Sequence, residues 1–206
     1  MALVTAAEVR AQLPELASAT GEDTNLGVLI DGVGEAFARF CGYLPATVSA
    51  TPTMESTSYV LYLTGDGGRD VRPTMQPVTA VSSIYDDASL DFTSSTYLVA
   101  SSDYALVYDI HRGSVIRLTS TATLGQWSTT EGAIKVACTA GYASIPAGLK
   151  QIAIMAVRNW LDLRRRRGKT SESNDAGSVS YSDEDFLPPH VRTALARYQL
   201  SSTAVG

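Results

Sequence analysis

Apolar residues recur at helical spacing near both ends of the chain and alternate with polar ones through its middle. Thr5 and Glu8 form a Thr-x-x-Glu capping box, and Val9, Leu13 and Leu16 follow at helical intervals. Pro14 ends or kinks that helix. Thr20 to Asp23 reads as a turn, with Asp23 a candidate cap for a second helix. Leu26, Leu29, Ile30, Val33, Phe37 and Phe40 then lie on one face, and Gly42 closes the pattern. Gly27, Gly32 and Gly34 weaken this helix in isolation, so packing must hold it.

From about Thr47 to Tyr142 the chain turns to Thr, Ser, Val, Tyr and Gly. Strand candidates are 59–63, 78–85, 96–99, 104–108, 114–118 and 133–139, separated by polar or glycine turns. The alternation is clearest where Ile134, Val136 and Cys138 interleave with Lys135, Ala137 and Thr139. Helix returns after Pro146 and runs from about Ala147 to Arg166. Leu149, Ile152, Ala153, Ala156, Trp160 and Leu163 make one stripe, widened by Ile154, Val157 and Leu161, so more than one side needs covering. Gly168 ends it. Lys169 to Asp185 reads as a polar, flexible linker. A short amphipathic helix with Val191, Leu195 and Tyr198 follows Phe186-Leu187-Pro188-Pro189, and Ser201 to Gly206 is a frayed tail.

These elements predict an α+β chain. N-terminal helices (1–46) and a long C-terminal helix (143–167) form a helical core. A small antiparallel β module (47–142) is inserted, and residues 168–206 are a flexible C-terminal arm ending in a short helix.

With 206 residues, 45% hydrophobic and 18% charged, the chain can bury a core without staples. A net charge of -5 argues against nucleic-acid binding driven by global positive charge. Cys41 and Cys138 have no metal-like spacing and read as core residues of a reducing compartment. No apolar run spans a bilayer, and the N-terminus lacks a secretory pattern, so a cytoplasmic site of synthesis is expected.

Candidate chemistry is sparse. Gly32-x-Gly34 lacks a preceding strand and sits in a helical pattern. Gly65-Asp66-Gly67-Gly68 has no following Lys-Ser/Thr and reads as a hairpin turn. The two histidines, His111 and His190, lie in a turn and after two prolines, and no Gly-x-Ser-x-Gly elbow occurs. Glu22-Asp23, Asp86-Asp87 and Asp183-Glu184-Asp185 fit no calcium loop and read as solvated turns. Tyr85, Tyr97, Tyr104, Tyr108 and Tyr142 suit cross-strand packing better than a sugar site. No catalytic residue, metal ligand or cofactor is assigned. Arg164-Arg165-Arg166-Arg167 is the one strong charge run. It suits a helix C-terminus and equally an acidic partner or DNA phosphates, although four successive residues point all round a helix.

The order of elements carries a resemblance. Val136-Ala137-Cys138-Thr139-Ala140-Gly141-Tyr142, followed by Ile145-Pro146-Ala147-Gly148-Leu149-Lys150-Gln151-Ile152-Ala153, resembles the strand–helix junction of the phage head–tail connector (adaptor) family of long-tailed phages. The opening Leu3-Val4-Thr5-x-x-Glu8-Val9 and the strand from Gln76-Pro77-Val78 to Ile84-Tyr85 are similar to that family's too. Cys138 stands where an aromatic residue is common, and the β insertion and tail look enlarged. The resemblance implies a structural virion protein of the neck, assembled during infection in the host cytoplasm. It implies a homo-oligomeric ring, usually dodecameric, beneath the portal. Such a ring extends the DNA channel without sequence-specific binding and offers a platform to a stopper or tail-completion protein, with no membrane partner. Net acidity would help DNA slide.

On that reading Met155, Arg158, Asp162 and Arg164 to Arg167 (Arg164, Arg165, Arg166, Arg167) are candidate subunit or partner contacts. Phe186, Leu187, Pro188, Pro189, Val191, Leu195 and Tyr198 are a candidate docking arm that orders on binding. Another virion completion protein (tail terminator or head completion) is the alternative. A small hydrolase or carbohydrate-binding β protein, which would need paired carboxylates facing one groove, is a third reading.

Overall fold

A computed structural model describes residues 3–13, 23–109, 113–165, 171–174, 177–180 and 187–200. The chain divides into two compact units, Met1–Gly42 with Ile145–Gln199, and Tyr43–Ser144 with Leu200–Gly206.

The first unit is mainly helical. Helix α1 (Ala6–Gln12) starts at the expected capping box: the Glu8 amide donates to Thr5 Oγ1 at 3.2 Å, and the Thr5 amide donates to Glu8 Oε2 at 2.8 Å. The other Glu8 oxygen accepts from Lys150 Nζ at 2.6 Å, which ties α1 to helix α3 (Ala147–Arg165). That bond from Lys150, with the Thr5 amide bond, holds the Glu8 carboxyl below its usual value. Helix α2 (Asp23–Phe40) buries Leu26, Ile30, Val33, Phe37 and Ala38. It stops at Gly42, whose φ of 85° only glycine adopts freely.

Helix α3 buries Leu149, Ile152, Ala153, Ile154, Ala156 and Val157, so it is covered on more than one side, as its apolar width predicts. The cover comes from its own unit, where α1, α2 and helix α4 (Pro189–Leu195) all pack on it. Trp160, Leu161 and Leu163, near its end, are half-buried.

The C-terminal stretch departs from the sequence expectation. Strands β7 (Ser171–Asn174) and β8 (Gly177–Ser180) pair antiparallel inside the predicted linker. Beyond it, Leu187, Val191 and Leu195 are buried, with Val191 and Leu195 fully so. Gln199 Nε2 donates to the Phe40 carbonyl at 3.2 Å, closing the chain back onto the end of α2. A Cβ added at Gly148 would lie 2.9 Å from the Tyr198 hydroxyl, so α3 and the 3-10 turn Ala196–Tyr198 approach closely. Leu187, Val191 and Leu195 are core residues, not part of a free arm, because they have a place to be buried within the chain.

Among the described residues the second unit holds two three-stranded antiparallel sheets. In the first, β6 (Ile134–Ala140) is central, between β1 (Thr57–Leu63) and β3 (Val78–Asp86). Ile134, Val136, Cys138 and Ala140 face inward with Tyr59, Leu61 and Leu63. Burial pushes the Cys138 thiol up to about 11, and that of Cys41 likewise, so both stay protonated core residues. The second sheet orders β2 (Asp70–Val71), β5 (Gly113–Leu118) and β4 (Tyr104–Asp109). Ser114 joins the sheets: its Oγ accepts from the Val78 amide at 2.9 Å and donates to the Val78 carbonyl at 3.2 Å. Gln76, before a cis bond to Pro77, accepts from the Ser114 amide at 2.8 Å and donates to its carbonyl at 2.9 Å.

Two local expectations are corrected. Residues 96–99 are not a strand: Ser95–Tyr97 is a 3-10 turn capped by Ser94, and Leu98 alone bridges Tyr85. The Gly65–Gly68 turn does not close a hairpin, because β1 pairs β6 whereas β2 pairs β5. There the Asp66 side chain accepts from the Gly68 amide at 2.8 Å, and Trp127 is fully buried with Nε1 donating to the Arg69 carbonyl at 3.0 Å.

The placement of α4 sets an energetic expectation. Leu195→Ala should lower unfolding stability by about 2–5 kcal/mol in urea titration, the usual cost of a core Leu truncation. A freely hanging arm would give a change within about 0.5 kcal/mol.

Candidate docking surfaces

Met155, Arg158 and Asp162 recur at helical spacing and share one side of α3, with Met155 47% exposed and Arg158 exposed. Arg164, also exposed, lies nine residues on from Met155 and so points to the opposite side. Arg165 ends the helix, and Arg166 and Arg167 lie outside the described residues. Arg164 is therefore not on the side that Met155, Arg158 and Asp162 share. Of the proposed arm, Phe186 lies outside the described residues. Leu187, Pro188, Val191 and Leu195 are buried, whereas Pro189 is exposed. Tyr198 is half-buried, with the Arg197 guanidinium 5.1 Å from its ring centre.

Sequence reasoning missed a surface on the outer face of the first sheet. The register sets Lys135 of β6 opposite Tyr62 of β1 on one side and Tyr85 of β3 on the other. The Lys135 ammonium lies 5.8 Å from the Tyr85 ring centre and 5.4 Å from that of Phe92. Tyr62 meets Phe92 at 5.6 Å between centroids, in a tilted pair. Val60 and Leu90 add exposed apolar area at 54% and 50%.

The loop that delivers Phe92 hangs on Asp87. Its carboxylate is fully buried and takes the Ser89 amide at 2.8 Å, the Ser89 hydroxyl at 2.5 Å and the Phe92 amide at 3.0 Å. Burial by itself would raise this carboxyl, but the Ser89 and Phe92 hydrogen bonds outweigh it and hold it below its usual value. Its neighbour Asp86 goes the other way: burial raises it, against one bond from the Ser128 amide. The pair is thus no solvated turn. With both Asp87 oxygens engaged in holding the loop, it offers no free carboxylate pair for hydrolytic chemistry either.

Backbone geometry shows what those bonds hold. Leu90 and Phe92 have φ of 62° and 52°, left-handed values that non-glycine residues adopt only when their surroundings over-determine them.

The sequence matches the head completion protein family over residues 2–200. The chain belongs to that family. Head completion is a structural role in the virion, in keeping with the resemblance to head–tail connectors. No curated protein matches. Among solved structures, a chain in the neck of a native GTA particle computed with C12 symmetry is similar, with a TM-score of 0.54 and 21% identity, covering 97% of this chain and 90% of that one. A chain in the virion of a native gene transfer agent particle gives a TM-score of 0.51 and 20% identity, covering 90% of this chain and 81% of that one. These likenesses concern the fold. No helix among the described residues is long and apolar enough to cross a membrane.

The loop is directly testable in this head completion protein. Asp87→Asn should speed hydrogen exchange at the Ser89 and Phe92 amides by about tenfold or more. In the unsubstituted chain their protection should be complete above the ordinary carboxylate pKa. It should be lost as pH falls through the lower value that Asp87 has when folded.

Proposed function

We propose that this head completion protein is the subunit of a ring that sits beneath the portal, extends the DNA channel and offers a docking platform to a stopper or tail. The family match across residues 2–200 carries the reading. The fold likeness to a chain of a neck with C12 symmetry supports a ring, and twelve copies as its number. The chain's net charge of -5 suits passage of DNA, because a protein of net negative charge is not drawn to phosphate as a whole. In this reading the protein acts by shape and repetition and transforms no ligand. Met155 and Arg158 on α3 and Arg164 near its end are exposed and, in this reading, available to portal, stopper or neighbour.

Electron microscopy of the purified chain, alone and mixed with the portal of the same particle, tests this. Twelve-fold rings seated on the portal are expected. Particles made without the protein should be DNA-filled heads that fail to join tails. A chain that stays monomeric with portal present, or normal tailed particles in its absence, would overturn the reading.

A further inference from the structure

Two surfaces of the chain have matching chemistry that is left unused among the described residues. One is the outer face of the first sheet. Lys135 stands there among Tyr62, Tyr85 and Phe92, with ring contacts but no carboxylate partner among the described residues. Tyr62 is 58% exposed, the Phe92 amide is held by the buried Asp87 carboxylate, and the Leu90 amide donates to the Asp87 backbone carbonyl. An apolar face kept at the cost of two left-handed residues marks a contact surface. Covering it would strip water from the Lys135 ammonium, which is costly unless the covering surface brings an acid. The occupant must therefore be apolar and carry a carboxylate.

The other surface lies on α2. Val28 is 70% exposed, and Asp31, one turn on, shares its side of the helix and is exposed. Glu35, further along the same stripe, is engaged by Arg39 at 2.7 Å, whereas Asp31 has no ion pair among the described residues. An exposed apolar group beside a lone carboxylate is the complement the sheet face requires.

We propose that the sheet face of one copy docks on the Val28–Asp31 face of α2 in a second copy, with the Asp31 carboxylate meeting the Lys135 ammonium and Val28 lying against Tyr62 and Phe92. The contact joins unlike surfaces, so it leaves one of each free on every pair and propagates head to tail until the ring closes. It rests on the ring reading above and adds which surfaces make the subunit contact.

A charge swap tests it on the full chain. Lys135→Glu and Asp31→Lys, each alone, should raise the concentration needed for ring assembly about tenfold or more by mass photometry, through like-charge opposition. The double variant K135E/D31K should return to within about threefold of the original. Circular dichroism should stay native and the thermal midpoint should fall by no more than a few degrees, because Asp31 is exposed and half-buried Lys135 loses only its ring contacts. Val48→Lys, at a site fully exposed outside both patches, should leave assembly as it was. Rings from the original chain that form equally well with either single variant overturn the contact and leave the ring reading intact. Folded single variants that fail to assemble, with no recovery in the double, overturn it too. Normal rings whose binding to a stopper or tail protein falls with the same substitutions assign the sheet face to that partner instead. An original chain that never forms rings, portal present, overturns the ring reading and this contact together.

Discussion

The β unit depends on one close passage of backbone against backbone. At the end of β6, Gly141 passes so near the Glu55 carbonyl that no Cβ fits, and its φ of 103° is open only to glycine. The passage is fixed from three sides: Gly141 donates to the Pro77 carbonyl at 2.9 Å, Tyr142 donates to that of Met54 at 2.8 Å, and Ser56 donates to that of Tyr142 at 3.1 Å. The segments leading into β1 and β3 are thus clamped to the end of β6, the strand that pairs both. With β6 so held, its alternation sends Ile134, Val136, Cys138 and Ala140 inward and Lys135 outward. The core and the outer face are two consequences of one register.

That clamp explains why the family resemblance was legible. The phrase around Ala140-Gly141-Tyr142 and the phrase beginning at Gln76-Pro77 are far apart in sequence, yet their backbones hydrogen-bond directly. A glycine demanded by a carbonyl contact leaves few substitutes, so such a junction reads as a motif without any chemistry. The helices were legible for a different reason. Periodicity and caps are local, and Thr5, Glu8 and Gly42 do in space what their order suggests.

What the sequence hid was decided by distant partners. The acidic pair Asp86-Asp87 looks the same whether solvated or buried; only the fold wraps the chain from Ser89 to Phe92 around one carboxylate. Ser94 offered a local cap that turned residues 95–97 into a 3-10 helix where propensity favoured a strand. The segment from Leu187 to Leu195 reads as a loose arm because its apolar residues are few and follow a polar stretch. Their burial depends on α2 and α3 leaving room for α4, which no local pattern announces. Lys135 was visible only as the polar half of an alternation, since its ring neighbours arrive from β3 and from the loop beyond it.

In the proposed ring a subunit would have to stay dispersed and yet bind its own kind, and the proposed sheet-face contact would answer both demands. Exposed rings supply apolar area for association, but an all-apolar face would bind many surfaces. A single ammonium among the rings changes the selectivity more than the strength. Any apolar surface without an acid would leave that charge desolvated and unpaired, so wrong partners are penalised while an acid-bearing one is not. Because a closed ring repeats each contact once per subunit, the pairwise attraction can be small; closure converts the last contact into an intramolecular event. In that proposed contact the buried Asp87 would serve the same end, since a loop fixed before docking has less conformational freedom to lose on association.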